Sequence, residues 1–264
     1  MTSASYITRS NYWTHPGVSQ SQLRDLARSP MHYHAKHVAR TATTEETAAM
    51  RFGSAFHAAV LEPELFASEY VVATWDARTK AGKEDRDAAL ASGAKILSAD
   101  DMETISAMAA ALRSDPLASR ILDARTHTEH PIAWECPVTG VLCKGKPDAC
   151  VSIGGSVSLV DLKTTADADA ESFARSIVNF GYHVQAAHYC AGWSASVGPV
   201  DSFTFIAIEK TAPYAIGVYE LSADAMARGQ TRRLALLDKL TECRSSNRWP
   251  GYQPTTIDLP RWAA

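Results

Sequence analysis

Residues 146–163 read Lys-Pro-Asp-Ala-Cys-Val-Ser-Ile-Gly-Gly-Ser-Val-Ser-Leu-Val-Asp-Leu-Lys. The Gly154-Gly155 pair stands between two apolar runs, which predicts the two-residue turn of a β-hairpin. In that hairpin Asp148 faces Asp161, and Lys163 lies on the same face of its strand as Asp161. Carboxylates that face each other destabilise a hairpin unless something neutralises them. The stretch therefore predicts a divalent-metal site with a lysine beside it.

This arrangement of side chains is typical of phosphodiester hydrolysis. Magnesium and manganese bind carboxylate oxygens, such as those of Asp148 and Asp161, and leave positions for water and for substrate phosphate. An ammonium group beside the metal, here that of Lys163, can activate the water or stabilise the extra negative charge on phosphorus. One alternative stays open at this level. Asp148 could be a turn residue after Pro147, while Asp161 and Lys163 could form a salt bridge at a strand end.

The order of secondary-structure patterns predicts an α/β fold. Three strand-like runs, expected to form an antiparallel meander, cover residues 131–136, 141–153 and 157–163. Further strands are expected at 203–208 and 214–219, and helical patterns at 19–28, 31–40, 53–61, 99–113, 167–179, 181–196 and 223–243. We therefore expect a central mixed β-sheet flanked by helices. The chain is interpreted as one domain, residues 1–264, with an N-terminal helical arm at 1–48 and a catalytic core at 49–264.

Three polar residues stand out in the helices around the hairpin. His57 is the polar interior group of a helix that is otherwise made of small and apolar residues. It is a candidate metal ligand, although a satisfied core or surface histidine has the same appearance in sequence. Gln185 and Tyr189 are four residues apart and therefore share a helix face. They could position a scissile phosphate or Lys163, or they could be a half-exposed polar pair.

Composition sets looser bounds on function. The 264 residues carry a net charge of −3 with 46% apolar side chains, so global charge does not indicate a nucleic-acid partner. Basic residues are concentrated in residues 1–44, 78–86 and 228–248, each of which could also be a solvated face. The five cysteines form no CxxC pair, so we expect reduced and mostly buried thiols. Neither a signal peptide nor a membrane span is apparent, and the cytoplasm of a bacterial host is the expected location.

Taken together, these segments resemble the PD-(D/E)XK nuclease superfamily. The resemblance is carried by the order and spacing of Gly53-Ser54-Ala55-Phe56-His57, Glu129, Lys146-Pro147-Asp148, Asp161-Leu162-Lys163-Thr164 and Gly181-Tyr182-His183-Val184-Gln185-Ala186-Ala187-His188-Tyr189. More narrowly, they are similar to the RecE (exodeoxyribonuclease VIII) group of phage and prophage exonucleases, relatives of lambda exonuclease and of the RecB and Cas4 nuclease domains. A Cas4-like iron–sulfur cluster is not expected, because the cysteines are not suitably placed.

The resemblance implies a metal site with Mg²⁺ as the cofactor and Mn²⁺ as a possible substitute. The implied ligands are His57, Asp148 and Asp161, with the carbonyl of Leu162 as a further one. Many members of the superfamily carry Glu where this chain has Asp161, and the shorter side chain reaches one methylene less far towards the metal. Within the RecE group, however, Asp is usual at this position.

The resemblance also implies the catalytic residues. Lys163 matches the catalytic lysine, and Gln185 and Tyr189 match a Gln-xxx-Tyr motif near the scissile phosphate. Glu129 matches a further acidic position whose role varies. The chain has Gly145-Lys146 where an arginine is expected before Pro-Asp, so the DNA contact at that position stays open.

From the same resemblance we expect a 5′→3′ double-strand DNA exonuclease that releases mononucleotides and leaves a 3′ single strand. Expected partners are double-stranded DNA ends and a single-strand annealing protein of the RecT/beta-like type. The subunits are expected to form a ring, a trimer or a tetramer, and no membrane contact is expected. Two alternatives stay open: a structure-specific or restriction-type endonuclease of the same fold, and a catalytically inactive DNA-binding subunit.

Overall fold

The protein is organised around a five-stranded mixed β-sheet. A computed structural model describes residues 7–43, 45–76 and 78–259. The sheet order is β3 (Arg125–Thr128), β6 (Ala149–Ile153), β7 (Ser156–Thr165), β8 (Ser202–Glu209) and β9 (Ile216–Glu220). The central pair, β7 and β8, is parallel, and the other three pairs are antiparallel. The predicted central mixed sheet is therefore present.

Two short two-stranded sheets accompany the main one. One consists of the parallel strands β1 (Tyr70–Val72) and β2 (Lys95–Leu97), and the other of the antiparallel strands β4 (Ile132–Glu135) and β5 (Leu142–Gly145). Val18 forms a parallel bridge with Cys143 on β5, which attaches the N-terminal segment to this second sheet.

Helices cover both faces of the main sheet. They are α1 (Gln20–Arg28), α2 (Pro30–Tyr33) with a π-helical turn at His34–Val38, α3 (Ala48–Leu61), α4 (Pro63–Glu69), α5 (Lys80–Ala91), α6 (Ala99–Ser114), α7 (Pro116–Asp123), α8 (Ala170–Phe180), α9 (Tyr182–Ser196) and α10 (Ala223–Ser246). Helix α1 begins at a capping box, in which the Ser19 hydroxyl accepts from the Gln22 amide and the Gln22 side chain accepts from the Ser19 amide. Ser19 is therefore the N-cap of this helix.

The predicted hairpin register is confirmed. Ala149 pairs with Val160 and Ile153 pairs with Ser156 on either side of the Gly154-Gly155 turn. Both glycines have positive φ, 61° and 87°, as a type I′ turn requires. Asp148 directly precedes Ala149, whose pairing with Val160 is the ladder pair farthest from the turn. The register therefore brings Asp148 next to Asp161.

The predicted three-stranded meander is wrong. The single strand expected over residues 141–153 is divided into β5 and β6 by Lys146-Pro147-Asp148, and the two parts join different sheets. Pro147 lacks an amide hydrogen and restricts the residue before it, which interrupts a ladder at this point. The edge partner of β6 is instead β3, a strand that the sequence did not reveal.

The main sheet lies between two hydrophobic cores, one on each face. One face packs Leu159, Phe203 and Phe205 against helices α8, α9 and α10, and the other packs Val160 and Leu162 against α3, α6 and α7. Alternation along β7 places Asp161 and Lys163 on the same side as Leu159. The side chains predicted to share a face of β7 therefore lie on the side that faces α8 and α9.

The N-terminal helices contribute to the first of these cores. Leu23 and Leu26 of α1, together with Tyr33 of α2, are buried in the same cluster as Phe203 and Phe205. The predicted division into an arm at 1–48 and a catalytic core at 49–264 stays a prediction. Residues 1–6, 44, 77 and 260–264 of the predicted single domain lie outside the described residues.

The cysteines agree with the sequence analysis. All five cysteines are free thiols, and four of them, Cys136, Cys143, Cys150 and Cys243, are buried. Across the described part of the chain, no helix combines the length and the hydropathy needed to cross a membrane.

Helix α9 approaches the β4–β5 sheet closely at Gly192, and this contact can be tested. A Cβ atom at Gly192 would lie 2.4 Å from the ring of the buried Trp134. We expect Gly192→Ala to lower the free energy of unfolding by about 1–3 kcal/mol, because the gain in helix propensity is smaller than the cost of overpacking. Urea denaturation measures the change.

Gly198 offers a matched control, because a Cβ atom there would have no neighbour within 4 Å. Gly198→Ala is expected to change the free energy of unfolding by less than about 0.5 kcal/mol. A Gly192→Ala variant as stable as the parent would contradict the packing of α9 on Trp134.

Candidate active site

Asp148 is the centre of a polar cluster at the open end of the β6–β7 hairpin. Its Oδ2 atom accepts a hydrogen bond of 2.8 Å from the backbone amide of Leu162, which fixes the carboxylate across the end of the ladder. Burial and the nearby charge of Asp161 raise the pKa of Asp148 to about 8. A carboxylate in this position is therefore held close to a second negative charge with little solvent to screen it.

His57 reaches the same carboxylate from helix α3. Its Nδ1 atom lies 3.3 Å from Asp148 Oδ2, and its side chain is 24% exposed. Burial lowers the pKa of His57, and the charge of Lys163 lowers it further. The imidazole is therefore neutral at physiological pH, which is the form that ligates metals.

Glu129 approaches Asp148 from the segment between β3 and β4. It has a positive φ of 49°, and its amide donates a hydrogen bond of 2.9 Å to the Asp148 carbonyl. Burial and the charge of Asp148 raise the pKa of Glu129, while an ion pair with Lys146 acts in the opposite direction. The left-handed backbone at Glu129 thus turns a third acidic side chain towards the end of the hairpin.

These three side chains form a group that could hold a metal ion. The candidate ligand atoms of His57, Glu129 and Asp148 all lie within 4.8 Å of one another. Asp161 is outside this group in the part of the chain that the structure describes, although its charge acts on both Asp148 and His57. The backbone of Leu162 lies close enough to the ring of His57 to act on its pKa, so it borders the same space.

Lys163 lies beside Asp161 on the same face of β7. Its Nζ atom forms an ion pair with Asp161 Oδ2, and it lies 4.7 Å from the centre of the Tyr182 ring. Burial would lower the pKa of Lys163, but the charges of Asp161 and Asp148 outweigh burial and raise it. In this state Lys163 is a charged ammonium group.

Gln185 and Tyr189 share a face of α9, as their spacing predicts. The Gln185 Nε2 atom donates to the Tyr189 hydroxyl over 3.3 Å, and the Tyr189 ring lies over Gly145 on β5. A Cβ atom at Gly145 would lie 3.0 Å from that ring. Gly145, noted from the sequence as a departure from the expected arginine, thus leaves room for Tyr189 beside Asp148.

A cleft of about 730 Å³ opens over this cluster. It is lined by His57, Glu129, Asp148 and Tyr189, whereas Asp161, Lys163 and Gln185 do not line it. The predicted site residues are therefore arranged in two layers, one at the cleft surface and one behind it.

One wall of the cleft, formed by Tyr12 and Trp13 of the N-terminal segment, was not predicted from the sequence. Tyr12 and Trp13 line it, and Lys144 fixes their segment by donating hydrogen bonds of 2.7 Å to the Tyr12 carbonyl and 2.9 Å to the His15 carbonyl. Lys144 also lies 5.0 Å from the centre of the Tyr12 ring. The two lysines of Lys144-Gly145-Lys146 indicate a polar surface near Asp148, but nothing in the sequence predicts that Lys144 contacts residues 12–15.

The donor set fits a divalent cation. Apart from the ion pair with Lys163, neither buried oxygen of Asp161 has a hydrogen-bond partner among the described residues. Asp161 is 1% exposed, so these oxygens are strong acceptors without water. Carboxylate oxygens together with one imidazole suit Mg²⁺ or Mn²⁺. A cation at this position would balance Asp148, Asp161 and Glu129 together. The ligand roles themselves stay predictions.

Comparisons with known proteins agree with this fold. The family model described as "PDDEXK-like domain of unknown function (DUF3799)" matches residues 19–257. The structure is similar to that of a "Putative exonuclease" from Eubacterium rectale, at 15% sequence identity and a TM-score of 0.59, over 95% of this chain and 96% of that one. This likeness shows the fold, and the predicted α/β class is confirmed.

A second solved structure matches only weakly. The crystal structure of SSO0001 is 17% identical over 69% of this chain and 84% of that one, with a TM-score of only 0.30. No curated protein sequence matches the chain.

The raised pKa of Asp148 predicts how the metal-free protein responds to pH. Between the ordinary carboxyl pKa and about 8, the folded protein holds a proton that the unfolded chain loses, so stability falls as pH rises through this window. Asp148→Asn removes this effect. In a chelator at about pH 8 we expect the variant to be more stable than the parent by about 2–5 kcal/mol, and at about pH 4 to be nearly equal to it. Denaturant unfolding at both pH values measures the difference.

Asp224, which is exposed on α10, gives the control, since Asp224→Asn should leave the pH dependence of the parent unchanged. Added Mg²⁺ should stabilise the parent more than Asp148→Asn, because the variant lacks one carboxylate of the predicted site. An equal difference between Asp148→Asn and the parent at both pH values would contradict the assignment of the buried charge.

Proposed function

The chain belongs to the DUF3799 family of PDDEXK-like domains, and we propose that it is a divalent-metal-dependent exonuclease that degrades double-stranded DNA from its 5′ ends. The family match supports a nuclease at the coarser level. The observation that carries the proposal is the convergence of His57, Glu129 and Asp148 within 4.8 Å at the floor of a cleft, with Lys163 behind them. These are the groups that hydrolysis of a phosphodiester requires.

The residues divide into those that hold charge and those that orient the substrate. Mg²⁺ bound here would polarise the scissile phosphate and lower the pKa of an attacking water, and Mn²⁺ can substitute for it. Lys163 carries a positive charge, which suits stabilisation of the additional negative charge in the transition state. Tyr189 lines the cleft and receives the Gln185 amide, so the two side chains can orient a phosphate oxygen together. Burial raises the pKa of Tyr189 well above its ordinary value, so its hydroxyl stays a donor.

Double-stranded DNA as the substrate follows from the sequence resemblance to the RecE group, because four acidic residues, Glu62, Glu69, Glu129 and Asp148, stand against three lysines, Lys95, Lys144 and Lys146, in the lining of the cleft. Lys144 and Lys146 line it together with the aromatic ring of Tyr12, although Lys144 is already bonded to backbone carbonyls. Lys146, with 25% of its side chain exposed, is the better candidate for a phosphate contact. Digestion from an end, 5′→3′ polarity and release of mononucleotides follow from the sequence resemblance to the RecE group. The name of the Eubacterium rectale protein agrees with an exonuclease.

The proposal predicts a distinct pattern of DNA cleavage. With Mg²⁺, linear duplex with 5′-phosphates should be converted to mononucleotides and 3′ single strands, while covalently closed circular DNA stays intact. Duplex with 5′-hydroxyl ends should be degraded more slowly. Gel electrophoresis of strands labelled at either end measures the products and the polarity.

Lys163→Ala provides the control for a contaminating nuclease. It should lower the rate by at least about 100-fold, because it removes a charge that stabilises the transition state. Nicking of the closed circle would favour the alternative endonuclease. Binding of duplex in Ca²⁺ without cleavage in Mg²⁺ would favour the inactive DNA-binding subunit.

A ring-shaped homo-oligomer, a trimer or a tetramer, is a further part of the proposal. A ring could hold DNA with a positive bore even though each chain carries a net charge of −3. The 3′ strand would then pass to a single-strand annealing protein of the RecT/beta-like type. Light scattering should give a mass of about three or four times the 28.6 kDa of one chain, and a monomer mass in the presence and absence of duplex would contradict the ring.

A further inference from the structure

The Lys163 ammonium group lies over the aromatic ring of Tyr182. Its Nζ atom lies 4.7 Å from the centre of the Tyr182 ring, within the range of a cation–π interaction. Lys163 is on the central strand β7, and Tyr182 is the first residue of α9, so the contact joins the sheet to the helix that carries Gln185 and Tyr189.

The position of the Tyr182 ring is fixed by its surroundings. Gly181, with a φ of 69°, ends α8 and begins α9 in the left-handed conformation, which sets the direction of the first turn. Three phenylalanine rings surround Tyr182, with centroid distances of 5.5 Å to Phe180, 5.7 Å to Phe205 and 6.3 Å to Phe173. Phe205 in turn pairs with Asp161 in the β7–β8 ladder. The ring is therefore held beside Lys163 by the core and not by Lys163 itself.

The other contact of Lys163 is its ion pair with Asp161. The same Asp161 oxygens are candidate ligands for a divalent cation, and one carboxylate cannot give its full charge to both partners. A doubly charged ion beside Asp161 also repels an ammonium group. The Tyr182 ring has no net charge and is not a ligand for Mg²⁺, so its contact with Lys163 does not compete with metal binding.

We propose that Tyr182 is a positioning residue whose ring face holds the Lys163 ammonium group at the scissile phosphate when Asp161 is engaged by metal. The inference rests on the proposed nuclease function. It requires the ring of Tyr182 and not the hydroxyl. It also predicts an effect on the chemical step, because Lys163 acts on charge that develops in the transition state.

Two substitutions separate the ring from the hydroxyl. Tyr182→Leu is expected to lower kcat on linear duplex by about 10- to 30-fold with KM changed by less than about threefold, since a desolvated cation–π contact is lost. Tyr182→Phe retains the ring and should stay within about twofold of the parent. Phe66→Leu is a matched control, because Phe66 is a half-buried aromatic residue whose ring stacks on Tyr70 and not on Lys163. It should leave kcat unchanged.

Metal binding and folding are measured on the same variants. Calorimetric titration with Mn²⁺ should give the same affinity for the parent, Tyr182→Leu and Tyr182→Phe, because the ring is not a ligand. If Tyr182→Leu does not fold, replacement of Tyr182 by phenylalanines with one, two and three fluorine atoms provides a second test at nearly constant volume. Fluorine withdraws charge from the ring face, so kcat should fall stepwise with each added atom.

The outcomes separate this inference from the proposed function. A parent protein that does not cleave DNA overturns the proposed function and this inference with it. With an active parent, the inference is overturned by a Tyr182→Leu kcat equal to that of the parent. It is equally overturned if Tyr182→Phe loses as much activity as Tyr182→Leu, or if kcat is insensitive to fluorination.

Discussion

The structure depends on the presence of three acidic side chains at one end of the β6–β7 hairpin. The strand register places Asp148 next to Asp161, and a backbone hydrogen bond from Glu129 to Asp148 brings the third side chain to the same end. Their charges are only partly balanced by Lys146 and Lys163, each of which pairs with one carboxylate. Burial raises the pKa of Asp148 and of Glu129, which shows that two lysines do not compensate for three buried carboxylates. A divalent cation bound here would balance these charges, and a site with this charge pattern is better suited to binding metal than to contributing stability.

The surrounding fold fixes the register of the hairpin and so keeps the three carboxylates close together. The type I′ turn at Gly154-Gly155 fixes the register at one end, and the Leu162 amide fixes the Asp148 carboxylate at the other. A slip of one residue would move Asp161 and Lys163 together to the opposite face of the sheet, away from Tyr182 and into the apolar core where Leu162 now lies. The cost of burying charged side chains in that core disfavours such a slip. Site geometry and fold specificity therefore rest on the same pairing.

The sequence predicted those features that depend on local rules. A Gly-Gly turn determines which residues face each other, and a four-residue spacing places Gln185 and Tyr189 on one helix face, so both contacts could be derived before any coordinates. Features that depend on long-range contacts could not. The division of residues 141–153 between two sheets depends on β3, whose pairing with β6 is not marked in the sequence. The hydrogen bonds from Lys144 to the Tyr12 and His15 carbonyls span about half the chain and have no periodic signal.

Glu129, and not Asp161 on β7, is the third member of the candidate metal-binding group. Asp161 lies outside the group of atoms within 4.8 Å, as expected for a residue with one methylene fewer than glutamate. Glu129 is inside the group because its positive φ turns a longer side chain towards Asp148. The acidic position with a variable role in the resembling family is thus the one that completes the cluster at the cleft surface, while Asp161 stays behind it in contact with Lys163. The shorter side chain keeps its carboxylate beside Lys163 and behind the cleft surface, and this difference in position gives the site its two layers.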